Sequence, residues 1–339
     1  MKIGTASAEP GEKSYGFLKV TKRPDGTDRG LHVVIVNGSE KGPVLLIDGV
    51  HHGTELAGYE AILKLASELD PKKLKGTFIG VPVMDVEGFQ DRDRIGHVDY
   101  LNMNRVYPGN DRGYDTVQVA FAYFNEIVPK ANYLISCHGA RAQRSPLTYV
   151  VPPAWDDSET VKKSQEMAKA FGVELIELQK QKAAGRLTTH SVEKGIPSMI
   201  TEIGGNSDVY QNRWHYIDLH KRGFTNVMKH LGMLEGRPML PQKQIYVVND
   251  VLYNKYGGLW IPEVKGSLEG QPKVYVKKGT ILGRVVNPFN MDEEIERIVA
   301  PYDGLIIGLF YQPVLHPGDH VIYFGKILKE EINSLNVNP

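Results

Sequence analysis

Short apolar runs alternate along the chain with stretches in which apolar residues recur every three or four positions, the pattern of buried strands separated by amphipathic helices. Val44-Leu45-Leu46-Ile47, Phe78-Ile79-Gly80-Val81-Pro82-Val83-Met84, Tyr133 to His138, Leu147 to Val151, Val173 to Ile176 and Pro197 to Gly205 read as strands. Helical spacing begins at Thr54, with Leu56, Tyr59, Ile62, Leu63 and Ala66, and returns near 116–128, 158–171 and 209–231. Thr54 is expected to cap its helix, with Glu55 in the first turn. Residues 15–21 and 31–36 flank the turn Pro24-Asp25-Gly26 and predict a hairpin at the sheet edge. Strands alternating with helices imply an α/β fold whose parallel or mixed sheet carries helices on both faces. Near Gly236-Arg237-Pro238 the texture changes: from Ile245 onward strands are short and glycines and prolines frequent, as in a small all-β sandwich or barrel. A boundary near residue 243 divides the chain into 1–243 and 244–339.

Composition narrows the function classes. Forty basic residues balance forty acidic ones, and no polybasic block occurs, so nucleic acid and anionic membranes are poor partners. The single Cys137 excludes an internal disulfide and fits a reducing compartment. The start Met1-Lys2-Ile3-Gly4-Thr5 lacks the apolar core of a signal peptide, and no run is long enough to span a membrane, so a cytoplasmic protein is expected. Function must then lie in a local site.

The strand ends supply one. The run ending at Ile47 leads through Asp48-Gly49-Val50 to His51-His52-Gly53-Thr54-Glu55. Open α/β sheets bind ligands beyond the carboxyl ends of their strands. Catalytic zinc commonly takes two His and one Glu. His-x-x-Glu alone is weak, expected roughly 0.7 times by chance in such a chain, and His190-Ser191-Val192-Glu193 also matches. That pair follows no apolar strand and reads as surface. Other strands end in His138 and Glu202, so two His and one Glu can hold zinc while Glu202 serves as base. Cys137 and His138 point to opposite faces of their strand, which argues against a Cys-His nucleophile and places Cys137 in the core. The chain contains no Gly-x-Ser-x-Gly elbow and neither glycine-rich phosphate motif. The long polar segment from Asp85 to Arg112 holds Arg92, Arg94 and Arg105, residues suited to carboxylates and oxyanions. His97 in that segment reads as solvated loop.

Taken in order, His52-Gly53-Thr54-Glu55, Asn104-Arg105-Val106-Tyr107-Pro108-Gly109, His138-Gly139, Thr201-Glu202-Ile203-Gly204-Gly205 and the β-rich tail resemble the succinylglutamate desuccinylase and aspartoacylase family, relatives of the zinc carboxypeptidases. The resemblance spans nearly the whole chain. It implies one Zn2+ per chain on His52, Glu55 and His138, with Glu202 as general base and then acid. It further implies that Arg94 polarises the scissile carbonyl, with Arg92 as its competitor, while Asn104 and Arg105 hold a substrate carboxylate. Ser136-Cys137-His138 departs from the acidic residue many members carry before this histidine. The doubled His51-His52 is also unusual; His51 is expected to make a supporting hydrogen bond or to pack. The tail is similar to a biotinyl or lipoyl-type β-fold, but the hairpin Asn287 to Asp292 lacks the lysine a carrier needs, so a cap over the site or an oligomer contact is expected.

The leading expectation is a zinc-dependent amidohydrolase that removes an acyl group from a small N-acyl amino acid or similar carboxylate. Two alternatives are a carboxypeptidase-like peptidase and a zinc-containing binding protein without turnover.

Overall fold

The computed structural model describes residues 1–140, 144–205, 209–266 and 273–333. Strands β1 (Lys2–Ile3) and β2 (Ala6–Ser7) pair with each other ahead of the hairpin β3 (Glu12–Lys22) and β4 (Asp28–Asn37). The alternation continues as β5 (Glu40–Asp48), α1 (Ala57–Glu68), β6 (Lys75–Val81), α2 (Val86–Asp91), α3 (Asp115–Ala122), β7 (Tyr133–Ala140), β8 (Arg144–Pro146) and β9 (Tyr149–Val151). It then runs through α4 (Glu159–Phe171), β10 (Leu175–Glu177), α5 (Leu187–Glu193), β11 (Ser198–Gly205) and α6 (Val209–His230). The remaining strands are β12 (Lys243–Tyr253), β13 (Gly258–Pro262), β14 (Tyr275–Val276), β15 (Ile281–Asn287), β16 (Asn290–Val299), β17 (Gly304–Phe310), β18 (Val314–Leu315) and β19 (His320–Ile332).

Among the described residues, one mixed sheet of thirteen strands runs β14-β17-β19-β12-β10-β9-β11-β7-β5-β6-β4-β3, with β8 on β17. Its parallel heart is β6-β5-β7-β11, and β3 lies at the edge, as the hairpin pattern predicts. Helices cover both faces. One core joins Leu45, Ile47 and Ile135 to Ala61 and Leu65 of α1, Phe171 of α4 and Phe224 of α6. The other joins Leu46, Ile79 and Leu134 to Val119 and Ala120 of α3 and Leu187 of α5.

The C-terminal all-β part divides between two sheets. Strands β13, β15, β16 and β18 form a separate antiparallel sheet over a core that includes Trp260, Leu282, Val285 and Leu315. By contrast, β12 pairs with β10 on one side and β19 on the other, carrying the main sheet onward through β17 and β14. Local periodicity marks these segments as strands but does not disclose their partners, because pairing over such sequence distances is set by the assembled edge.

Strand register positions the site. Asp48 is paired with Ser136 across β5 and β7, and His138 with Glu202 across β7 and β11. Side chains alternate along a strand, so Asp48, Ser136, His138 and Glu202 lie on one face and Cys137 on the other. Cys137 is buried in the helix α1 core, as expected.

Candidate active site

The chain leaves β5 through Gly49 and Val50. Val50 is fully buried with φ +52, a strained conformation for a β-branched residue and one often found at functional sites. The turn is held from the neighbouring segment: Met84 and Asp85 donate their N–H groups to the carbonyls of Gly49 and Val50 at 3.0 and 2.8 Å, and Gly53 donates to Arg94 O at 3.2 Å. Gly53 fits because a Cβ would lie 2.0 Å from Gly88 backbone atoms. Thr54 does not cap the helix. The N-cap is Leu56, with no side-chain bond, and α1 starts at Ala57. Glu55 is therefore ahead of the first turn, its N–H bonded to His52 O at 3.0 Å and its carboxylate turned inward. Its partners are imidazoles across the pocket, which outweigh any attraction of the helix terminus.

Those partners are His52 and His138. Their Nδ1 atoms lie 2.8 and 2.9 Å from the two oxygens of Glu55, and among the described residues these three form the one group of ligand atoms, all within 4.8 Å of each other, able to hold a metal ion. Burial opposes charge on Glu55, yet the two imidazoles hold its carboxyl well below the usual range. Burial likewise lowers His138 to about 4 against the pull of Glu55, so its ring is neutral near pH 7. An anionic carboxylate and neutral imidazole are the forms that ligate zinc, and the donor set fits that ion.

The long polar segment closes over this group. Arg94 donates to Glu55 Oε1 at 2.9 Å and to His52 Nε2 at 3.1 Å. Arg92 ends α2 in the left-handed region, exposed and away from the cavity, so Arg94 is the arginine at this point. Asn102 Oδ1 is 3.2 Å from His52 Nε2, and Asn104 Nδ2 is 3.0 Å from His138 Nε2. Arg105 donates to Asn104 O at 2.6 Å and lines the cavity. His97 remains half-exposed, paired with Asp91 and Asp93. His51 lies behind the ligands: its Nδ1 is 3.2 Å from Asp48 Oδ1 and its Nε2 2.9 Å from Tyr107 OH. Asp48 also accepts from Tyr123 OH at 2.6 Å and Ser136 Oγ at 2.8 Å. Burial pushes both tyrosine hydroxyls well up, keeping them protonated as donors.

The resulting cavity has a volume of about 200 Å³ and is lined by His52, Glu55, Arg94, Asn104, Arg105, His138 and Glu202. It also contains residues not singled out from the sequence: Tyr149, Glu177, Arg186, Asn249, His320 and Tyr323. Glu177 ends β10, and the strand-end reasoning that marks Glu202 would have marked it too. Arg186 is brought in by the turn before α5, where Gly185 (φ +70) approaches the Arg105 backbone so closely that a Cβ would lie 2.0 Å from its carbonyl oxygen. Asn249, His320 and Tyr323 come from β12 and β19, so the C-terminal part contributes to the lining. His190 and Glu193 lie on α5, partly exposed, 3.4 Å apart and without a third ligand among the described residues.

A strand-end His-Glu-His group inside a mixed α/β sheet is the frame of a hydrolase. Residues 41–231 match the succinylglutamate desuccinylase/aspartoacylase catalytic domain, more than half the chain, and the protein belongs to that family. A relative from Halomonas elongata, an N-alpha-acetyl-L-2,4-diaminobutyric acid deacetylase, is 26% identical over 334 residues, covering 96% of this chain and 95% of its own. The fold is shared with the product-bound ectoine utilization protein EutE (DoeB) from Ruegeria pomeroyi, with a TM-score of 0.85, 23% identity and coverage of 95% of this chain and 97% of that one. A succinylglutamate desuccinylase from Silicibacter has a TM-score of 0.83 at 21% identity, covering 97% of this chain and 100% of that one. No helix among the described residues is long and apolar enough to cross a membrane.

Proposed function

We propose that this protein is a zinc-dependent amidohydrolase that deacylates a small N-acyl amino acid in the cytoplasm, with residues 1–243 carrying the chemistry and 244–339 acting as cap. The observation that carries the reading is the convergence of His52, Glu55 and His138 on one point of a cavity that also holds Glu202, Arg94 and Arg105. The three ligands would hold one Zn2+, which supplies Lewis acidity toward water and the scissile carbonyl.

The remaining work falls to the chain's own groups. Glu202, level with His138 on the adjacent strand, takes a proton from the attacking water and returns it to the leaving nitrogen. Arg94 offsets negative charge developing on the carbonyl oxygen. Asn104 and Arg105 hold the substrate carboxylate, where a guanidinium can bind bidentately. The deacetylase from Halomonas elongata, aligned over nearly the whole of both chains, favours deacylase over carboxypeptidase. The Halomonas relative supports an N-acetyl diamino acid as the first substrate to try.

The test is a panel of N-acyl amino acids and short peptides offered to chelator-stripped protein before and after one equivalent of Zn2+. Amine release from an N-acyl amino acid that needs the added metal is expected. Equal release by the stripped protein would overturn metal dependence, and cleavage confined to peptides would favour the peptidase.

A further inference from the structure

Each ligand imidazole directs Nδ1 at Glu55, and each Nε2 faces one fixed donor and one fixed acceptor. For His52 the donor is Arg94, 3.1 Å away, and the acceptor is Asn102 Oδ1 at 3.2 Å. The Asn102 amide cannot be reversed without loss, because Asn104 N–H donates to that same Oδ1 at 3.0 Å. For His138 the donor is Asn104 Nδ2 at 3.0 Å; Leu187 N–H donates to the other end of this amide at 3.0 Å and fixes its orientation. The acceptor is Ser136 Oγ at 3.5 Å. Its own proton is committed to buried Asp48 at 2.8 Å, so toward His138 it presents lone pairs.

These contacts define two proton arrangements. In one, each ring would carry hydrogen on Nδ1, donate it to Glu55, and accept at Nε2 from Arg94 and Asn104. A cation on Nδ1 requires each proton to reside on Nε2, where Arg94 and Asn104 become opposed donors and Asn102 and Ser136 become partners. Each ring loses one proton at Nδ1 and gains one at Nε2, so its charge is unchanged. Metal-bound histidines generally donate the second ring N–H in this way.

We infer that Asn102 and the Ser136–Asp48 pair are positioning residues that accept the Nε2 protons of His52 and His138 when metal binds, and that this tautomer exchange releases the Arg94 and Asn104 donors toward substrate. Metal loading thus prepares the oxyanion and carboxylate contacts as well as the Lewis acid. The inference rests on the proposed His52-Glu55-His138 metal site.

The test uses the full chain with Zn2+ as probe. In wild-type protein stripped of metal, 15N imidazole NMR should show His52 and His138 with the proton on Nδ1, moving to Nε2 on addition of one equivalent of Zn2+. Competition against a chromophoric chelator should show Zn2+ affinity reduced about 10- to 100-fold in Ser136→Ala and in Asn102→Ala, with Ser136→Thr restoring most of it. Metal-free Ser136→Ala should keep the His138 proton on Nδ1 in the same spectra, which separates the loss of an acceptor from a collapsed site. Nε2 protonation already present in stripped wild-type protein, or affinities within twofold of wild type in both alanine variants, would overturn the inference while leaving the metal site standing. Failure of the wild type to bind Zn2+ would remove both. Should a variant not fold, the wild-type NMR result decides.

Discussion

Two His-x-x-Glu pairs share one spacing and differ in almost everything else. His52 and Glu55 leave a buried strand through a turn pinned to the next segment, are both nearly inaccessible, and meet His138 from 83 residues further along. His190 and Glu193 lie on α5, with Glu193 also held by Lys182 at 2.9 Å in solvent. Spacing puts two side chains near each other; only the parallel sheet brings a third. His220 completes the contrast. It is as buried as His138 and similarly lowered to about 4, yet it bonds Thr201 Oγ1 and the Tyr216 carbonyl and pairs with no carboxylate among the described residues. Burial of a histidine is therefore insufficient, and convergence is what makes a site.

The largest effect expected from breaking the first pair is on metal content. His52→Ala or Glu55→Gln should purify without stoichiometric zinc by elemental analysis and lack hydrolysis, whereas His190→Ala with Glu193→Gln should retain both within about twofold, their exposed pair contributing at most ~1 kcal/mol. Loss of zinc from the α5 variant would erase the distinction. Glu202→Gln keeps the ligand set and should retain zinc while turnover falls roughly 10²- to 10⁴-fold; undiminished kcat would remove it as base. Replacing Arg105 with alanine should raise KM on carboxylate-bearing substrates about tenfold or more with little change in kcat, and unaltered kinetics would dismiss the clamp.

The last expectation concerns stability rather than turnover, at His220. Its folded value lies below the ordinary one, so the unfolded chain binds this proton more readily. The contribution is fully present above pH 6.5 and declines toward pH 4, by up to about 3 kcal/mol at 1.36 kcal/mol per unit. Melting of His220→Gln should accordingly fall less steeply over that range than wild type. Parallel curves would assign the acid sensitivity to other groups.

Much of this was legible beforehand. The apolar runs before His52, His138 and Glu202 mark the strands whose ends meet at the cavity, and the polarity of the segment holding Arg94, Asn104 and Arg105 gives no shape. Glu55 was assigned to the first helical turn because local rules favour a carboxylate there; the imidazoles it meets are remote in sequence. The C-terminal strands were recognised, but not that β12 and β19 would join the main sheet and bring Asn249, His320 and Tyr323 to the cavity. Nor could spacing reveal Arg186, which is carried in by a glycine docked on the Arg105 backbone.

The continuity of that sheet bears on how the enzyme handles its substrate. Hydrogen bonds along β12 join β10 to β19, so the lining residues Asn249, His320 and Tyr323 are built into the same sheet as the strands that carry His138 and Glu202. Swinging them away would mean tearing a ladder of main-chain bonds. Under the proposed function, altering Asn249, His320 or Tyr323, which line the cavity from β12 and β19, should change which substrate is accepted while the His52-Glu55-His138 group stays in place.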